Sequence, residues 1–191
     1  MPNQVRKSKA EIATIDCVLI TIETANGEFG FTTADQIQVE PQIDEQKPVT
    51  LIVKGVLRAQ KPAVSTITGN KITLSDNVFN PELALILQGG EIVYDTNDPE
   101  KIVGYNPPVA GSSERGEVFT LNAYSVHQSV SGEVIQYEKI SYPNCHGSPV
   151  AFGSKDGTFR APEYTISSAP RSGEPPYQIV YIDSLPELVA A

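Results

Sequence analysis

The chain has 191 residues, with 14 Lys and Arg against 23 Asp and Glu, a formal net charge of −9 and 40% hydrophobic residues. That length suits one domain with its own core, and the apolar content excludes an acidic disordered chain. The charge balance argues against a protein that grips duplex DNA, which needs concentrated Lys and Arg, and the longest apolar runs, Cys17–Ile20 and Leu83–Leu87, fall far short of the roughly 20 residues of a membrane-spanning helix, so no membrane partner is expected.

Residues 1–11 include Arg6, Lys7 and Lys9, but Glu11 and Asp16 interrupt the apolar stretch that a secretory signal requires. The segment reads as a polar N-terminal arm ahead of a single domain, 12–191. Alternation of period two then dominates. Val18, Ile20 and Ile22 share one face of a strand over 16–24, Asn26-Gly27 is a hairpin signal, and 27–33 returns. The stretch Glu40–Pro48 is polar and bounded by prolines, which reads as an irregular loop. Residues 49–60 read as one strand, with Val49, Leu51, Val53 and Leu57 alternating with polar positions. Thr68-Gly69-Asn70 is a turn cue ahead of a strand over 70–75.

One helix follows. Asn80 can accept hydrogen bonds from free first-turn amides, Pro81 fits the first helical position, and Glu82 lies at the positive end of the helix dipole. Leu83, Ile86 and Leu87 recur at helical spacing, Ala84 and Leu85 add apolar surface, and Gly89 suits a terminator. A helix apolar nearly all round should be covered on both sides, by a sheet and by a second subunit. Strand patterns continue at 91–95, 117–126, 132–142, 163–169 and 177–183, with turn cues at Ser131-Gly132, Asp156-Gly157 and Ser172-Gly173. Asn106-Pro107-Pro108 to Gly116 and 169–176 read as loops. The fold class is therefore mainly β: a sandwich or barrel of antiparallel strands, one short flanking helix at about 80–88, and extended loops.

Candidates for chemistry are few. His127 and His146 could each be imagined in a Ser-His-Asp set, but no Gly-x-Ser-x-Gly elbow is present. Cys145, His146 and His127 do not match the spacings of a zinc site, and Cys17 and Cys145 read as reduced thiols. Glu91, Asp95, Asp98 and Glu100 could hold an ion, yet they lack the calcium-loop pattern, and Asp95-Thr96-Asn97-Asp98-Pro99 also describes a solvated turn capped by its own side chains. No phosphate-cradling loop or nucleotide fingerprint occurs. The expectation is no enzyme, no metal and no cofactor.

Asn70–Leu83, running through the helix to Gln88-Gly89-Gly90, resembles the middle of tail tube proteins from phages and prophages of Gram-positive bacteria. Leu51–Gly55 through Gln60-Lys61-Pro62, and the C-terminal stretches Phe159–Ile166, Pro175-Pro176-Tyr177 and Val180–Asp183, are similar to the same group. The likeness spans most of residues 12–186 and is one of sequence texture over many strands.

The resemblance implies a β-sandwich subunit that assembles into hexameric rings, stacked as a hollow tube that conducts DNA without binding it specifically. It implies a virion tail location, assembly in the host bacterial cytoplasm, no catalytic residue, and tape-measure, terminator and possibly sheath proteins as partners besides the chain itself. A ring of six would carry about −54 if nothing were neutralised, and an acidic bore would repel phosphate. Strand edges would pair around the ring. Candidate self-assembly contacts are Leu83, Leu85, Ile86 and Leu87 on the helix, Asp44 and Glu45 in the 40–48 segment, Pro107 and Pro108 in the 106–116 loop, and the arm 1–11. The alternative is a virion-surface or extracellular β-sandwich binding module, an adhesin or receptor-binding domain.

Overall fold

The computed structural model describes residues 13–153, 156–157 and 160–188. The expected arm 1–11 and Phe159 lie outside them. Twelve strands and one helix are described: β1 (Thr14–Thr24), β2 (Gly27–Phe31), β3 (Ala34–Gln46), β4 (Val49–Val53), β5 (Val56–Lys61), β6 (Val64–Asp76), α1 (Pro81–Gln88), β7 (Glu91–Tyr94), β8 (Ile102–Asn106), β9 (Phe119–Gln128), β10 (Val134–Gly147), β11 (Glu163–Ser168) and β12 (Gln178–Ile182). The fold is mainly antiparallel β with one short helix, as the alternation predicts.

Eight strands form one continuous sheet in the order β2-β1-β9-β10-β11-β6-β3, with β12 also paired to β10. Strand β10 makes the bend. Residues 134–145 pair with β9, 137–141 pair on the other side with β12, and Cys145–Gly147 pair with β11. The sheet folds over so that both of its arms feed one apolar cluster. Ile20, Ile22 and Leu121 come from one arm, and Ile72, Leu74, Tyr164 and Ile166 from the other. All of these are fully buried. At roughly 1.5–3 kcal/mol per buried large side chain, this cluster is the main source of stability. Three polar side chains fix the register across β1, β9 and β10. Buried Asn122 donates through Nδ2 to Thr21 Oγ1 at 3.2 Å, and Ser141 Oγ donates to Asn122 Oδ1 at 2.7 Å. A one-residue slip would strand these groups without partners.

Helix α1 has the ends its sequence predicts. Asn80 Oδ1 accepts from the amides of Glu82 (2.9 Å) and Leu83 (3.3 Å), and Gly89 terminates it at φ 82° with its amide bonded to Leu85 O. Its apolar cover comes from within the chain. Leu83, Ala84, Ile86 and Leu87 are buried, while Leu85 is only half-buried. Gly116 and Gly147 let two backbone segments close on the helix, for a Cβ on either would lie 2.4 Å or less from an Ile86 or Leu87 backbone atom. Glu117 N–H donates to Ile86 O at 2.9 Å, and Val150 N–H donates to Gln88 Oε1 at the same distance.

Three readings from the sequence are corrected here. The stretch 40–48 is not a loop: β3 runs to Gln46 and pairs with β6 throughout. Pro41 is tolerated because β3 is an edge strand, where a missing N–H costs no ladder bond. The stretch 49–60 is not one strand but a hairpin, β4 and β5. Lys54 (φ 51°) and Gly55 (φ 76°) both take the left-handed conformation of a tight turn whose twist matches the flanking strands. Likewise Gly69 is no turn. It lies inside β6, where a Cβ would meet Ser168 O at 2.3 Å, so the glycine permits close approach of β11.

Candidate assembly interface

Strands β3 and β4, with β5 and β6 returning, make one long antiparallel arm. Pairing runs from Ala34↔Asp76 to Gln46↔Val64 and resumes from Val49↔Lys61 to Val53↔Val56. The register carries through the break in phase and sets Pro48 opposite Pro62. Neither residue can donate to the ladder, which is why hydrogen bonding lapses there. From Asp76 to the tip the contour is roughly 65 Å at about 3.3 Å per residue. Every residue from Pro41 to Thr68 is exposed, so this stretch stands off the body.

The arm is apolar on both faces near its tip. Period two places Val49, Leu51 and Val53 on one face, with Val56 opposite Val53, and sets Ile52 beside Leu57 on the other. Leu51 is 55% exposed, Ile52 62% and Leu57 54%. Closer to the body Ile43 pairs with Ile67, and both are exposed. A two-stranded ribbon has marginal stability in water, and these half-exposed side chains gain on the order of 1 kcal/mol each when covered. Surface ion pairs, at about 0–1 kcal/mol each, are a smaller reservoir. The arm is therefore the part of the described molecule with most to gain from a partner.

The other candidate contacts are scattered. Leu83, Ile86 and Leu87 are already covered by the chain's own strands and loops, which leaves Leu85 as the one of the four leucine and isoleucine candidates with free surface. Asp44 and Glu45 are exposed on the arm, paired across the ladder with Thr66 and Ser65. Pro107 is exposed and Pro108 half-buried at the start of a loop whose far end is tied down. In that loop Glu114 Oε1 accepts from Gly90 N–H at 3.0 Å. The strand signal of the arm was partly visible in the sequence, but its turn was not read, because Lys54 is not a usual residue for a left-handed position.

The chemistry-bearing residues do not converge. Cys145 is buried while its neighbour His146 is exposed, as alternation in a strand requires, so the two cannot share an ion. His127 pairs with Gln136 and Cys145 with Phe119, which separates them by eight positions along β9, roughly 27 Å. The His127 Nδ1 atom is buried and has no hydrogen-bond partner among the described residues, so no carboxylate orients the ring through that nitrogen. Burial pushes the Cys145 thiol up to about 12, far from a reactive thiolate. Asp95 and Asp98 cap their own turn: Asp95 Oδ1 accepts from Asn97 N–H at 2.9 Å and Asp98 Oδ1 from Glu100 N–H at 3.2 Å. Asp95 Oδ2 also lies 3.6 Å from Lys101 Nζ. Among the described residues no three His, Cys, Asp or Glu side chains gather as a metal site, and no helix is long and apolar enough to cross a membrane.

No family model and no curated protein matches the sequence. Several solved structures are similar to the chain over most of their length. A chain of the sheath–tube complex of PVC, an extracellular contractile injection system in its extended state, shares 14% identity over 89% of this chain and 92% of that chain, with a TM-score of 0.39. A chain of the anti-feeding prophage cap, which terminates the AFP tube, shares 15% identity over 91% and 95%, with a TM-score of 0.43. A chain of the six-fold symmetrised AFP baseplate shares 8% identity over 94% and 98%, with a TM-score of 0.34.

Proposed function

We propose that the chain is a non-catalytic structural subunit of a phage-tail-like tube, with copies of itself as its principal partner. In this reading the subunits close into hexameric rings, the rings stack, and DNA passes through an acidic bore that does not grip it. The observation that carries the reading is the exposed arm 41–68, apolar on both faces at its tip and built for burial that a lone chain does not supply. The sequence resemblance to tail tube proteins and the net charge of −9 support it. Tape-measure, terminator and sheath-like proteins would be further partners in such a particle.

The test is assembly. Purified full-length chain, concentrated or offered an assembling particle, is expected to give rings or hollow rods by light scattering and negative-stain microscopy. A variant that joins Gln46 to Val64 through Asn-Gly, which keeps their register and removes the arm's tip, should fold with an unchanged melting curve and fail to form them. Solitary wild-type subunits that bind glycans or cells would favour an adhesin instead.

A further inference from the structure

The charges of this chain are sorted in a way its net value hides. From Lys47 to Lys71 the sequence holds five basic residues and no acid, and from Asp76 to Glu100 it holds six acids and no base. The long hairpin separates the two blocks. Lys47, Lys54, Arg58 and Lys61 are exposed on the outer part of the arm, with Asp44 and Glu45 nearer its base, whereas the acidic block begins where β6 ends in the body, at the end of the hairpin remote from the tip.

The acidic block also presents apolar surface. After α1, the β7–β8 hairpin carries Glu91, Asp95, Asp98 and Glu100 on or beside its strands and leaves Tyr94 and Val103 about half exposed. Its base is held firmly: Gln88 Nε2 donates to Tyr105 Oη at 2.8 Å, and the Phe79 and Tyr105 rings lie 6.3 Å apart. The tip of the arm is thus basic and apolar, and the β7–β8 hairpin of the body is acidic and apolar. Asp95 is partly engaged by Lys101, and the remaining three carboxylates of the hairpin have no ion pair among the described residues.

We infer that the basic arm of one copy docks on the acidic β7–β8 hairpin of a second copy, with Lys54, Arg58 and Lys61 facing Glu91, Asp98 and Glu100. Resting on the self-assembly reading, this names its contact and polarity. Two arms repel each other, and so do two acidic hairpins, so the favoured pairing is arm on hairpin. Such a contact is heterologous and propagates from copy to copy instead of closing a two-fold dimer. Ion pairs at its rim set partner and direction, while Leu51, Ile52 and Leu57 against Tyr94 and Val103 supply the buried area.

Charge exchange tests it. One variant carries Lys54→Glu, Arg58→Glu and Lys61→Glu; the other carries Glu91→Lys, Asp98→Lys and Glu100→Lys. All six sites are on the surface, and circular dichroism should match the wild type. Each variant alone is expected to lose at least tenfold in assembled fraction at low salt, and an equal mixture should recover it, since each arm then meets an opposite charge. In wild-type assemblies, zero-length carbodiimide cross-linking with mass spectrometry should join Lys54 or Lys61 to Glu91, Asp98 or Glu100 between copies. If the wild type assembles and needs its arm, but the reversed variants assemble normally or cross-links map elsewhere, this contact is wrong and the self-assembly reading survives. A wild type that never assembles overturns both.

Discussion

Gly147 and Gly116 show how single residues position a whole element. Each admits a backbone segment against Leu87 that a methyl group would push away. Gly147→Ala is expected to cost about 1–3 kcal/mol, the range for overpacking a tight core, measured as a lowered urea midpoint. Asn80→Ala should cost about 1 kcal/mol in the same assay by freeing the Glu82 and Leu83 amides. Burial gives a separate test in alkali. It raises the Cys145 thiol from 9.0 to about 12 and the Tyr142 hydroxyl from 10.0 to about 12. Both groups hold their protons longer in the folded protein than in the unfolded chain. Their stabilisation is therefore complete below about pH 9 and falls as pH climbs toward 12. The urea midpoint should decline above pH 9, and Cys145→Ala should make that decline shallower, leaving the contributions of the Cys17 thiol, which burial also raises, and of Tyr142 from about pH 10.

Among the elements, the arm is the one a protease can question. In the free subunit trypsin is expected to cut after Lys54 and Arg58 first, because that ribbon is exposed on both faces, while Lys47 and Lys61 precede prolines and resist it. Assembly should protect the same bonds; equal cleavage of free and assembled chain would contradict an interfacial arm. How far such elements were legible in the sequence depended on whether one residue decided the geometry locally. Helix α1 could be read to its ends, because Asn80, Pro81 and Gly89 act within a turn of their own positions. Strand β1 and the hairpin that follows it were equally clear, although the two turn residues are Ala25-Asn26, one position earlier than the Asn26-Gly27 signal, with Gly27 already paired in β2. Strand β3 was hidden, since as an edge strand it carries few apolar residues and tolerates Pro41, which elsewhere announces a loop. The turn at Lys54-Gly55 was hidden because its flanks are apolar on both faces and look like one continuous strand. That ambiguity is itself the functional signal: a ribbon with two apolar faces is built to be enclosed. The helix misled in the opposite sense, since an apolar perimeter shows that cover is needed but not whether a neighbouring copy or the chain's own loops supply it.

For the molecule as a whole, a folded-over sheet gives a rigid body, and the body holds a ribbon that is basic at one end of a chain whose remainder is acidic. In the proposed assembly rigidity would matter, because a subunit that repeats many times must present its contacts at fixed angles. The buried Thr21–Asn122–Ser141 set and the core shared by both sheet arms provide that. An acidic surface suits a conduit for nucleic acid, since like charge prevents the many phosphate contacts that would hold DNA in place. Pairing three basic residues of each arm with three acids of a neighbour leaves the net charge of −9 per subunit unchanged, so the assembled surface would stay acidic. The central claim is that the chain's principal ligand is another copy of itself, engaged through the arm. Electron cryomicroscopy of the assembled chain measures this most directly. The account predicts rings stacked around an open bore, with density for residues 47–62 of each subunit seated on a neighbour. Assemblies whose arms project free into solvent, or a chain that stays solitary at high concentration in the presence of every tail component, would contradict it.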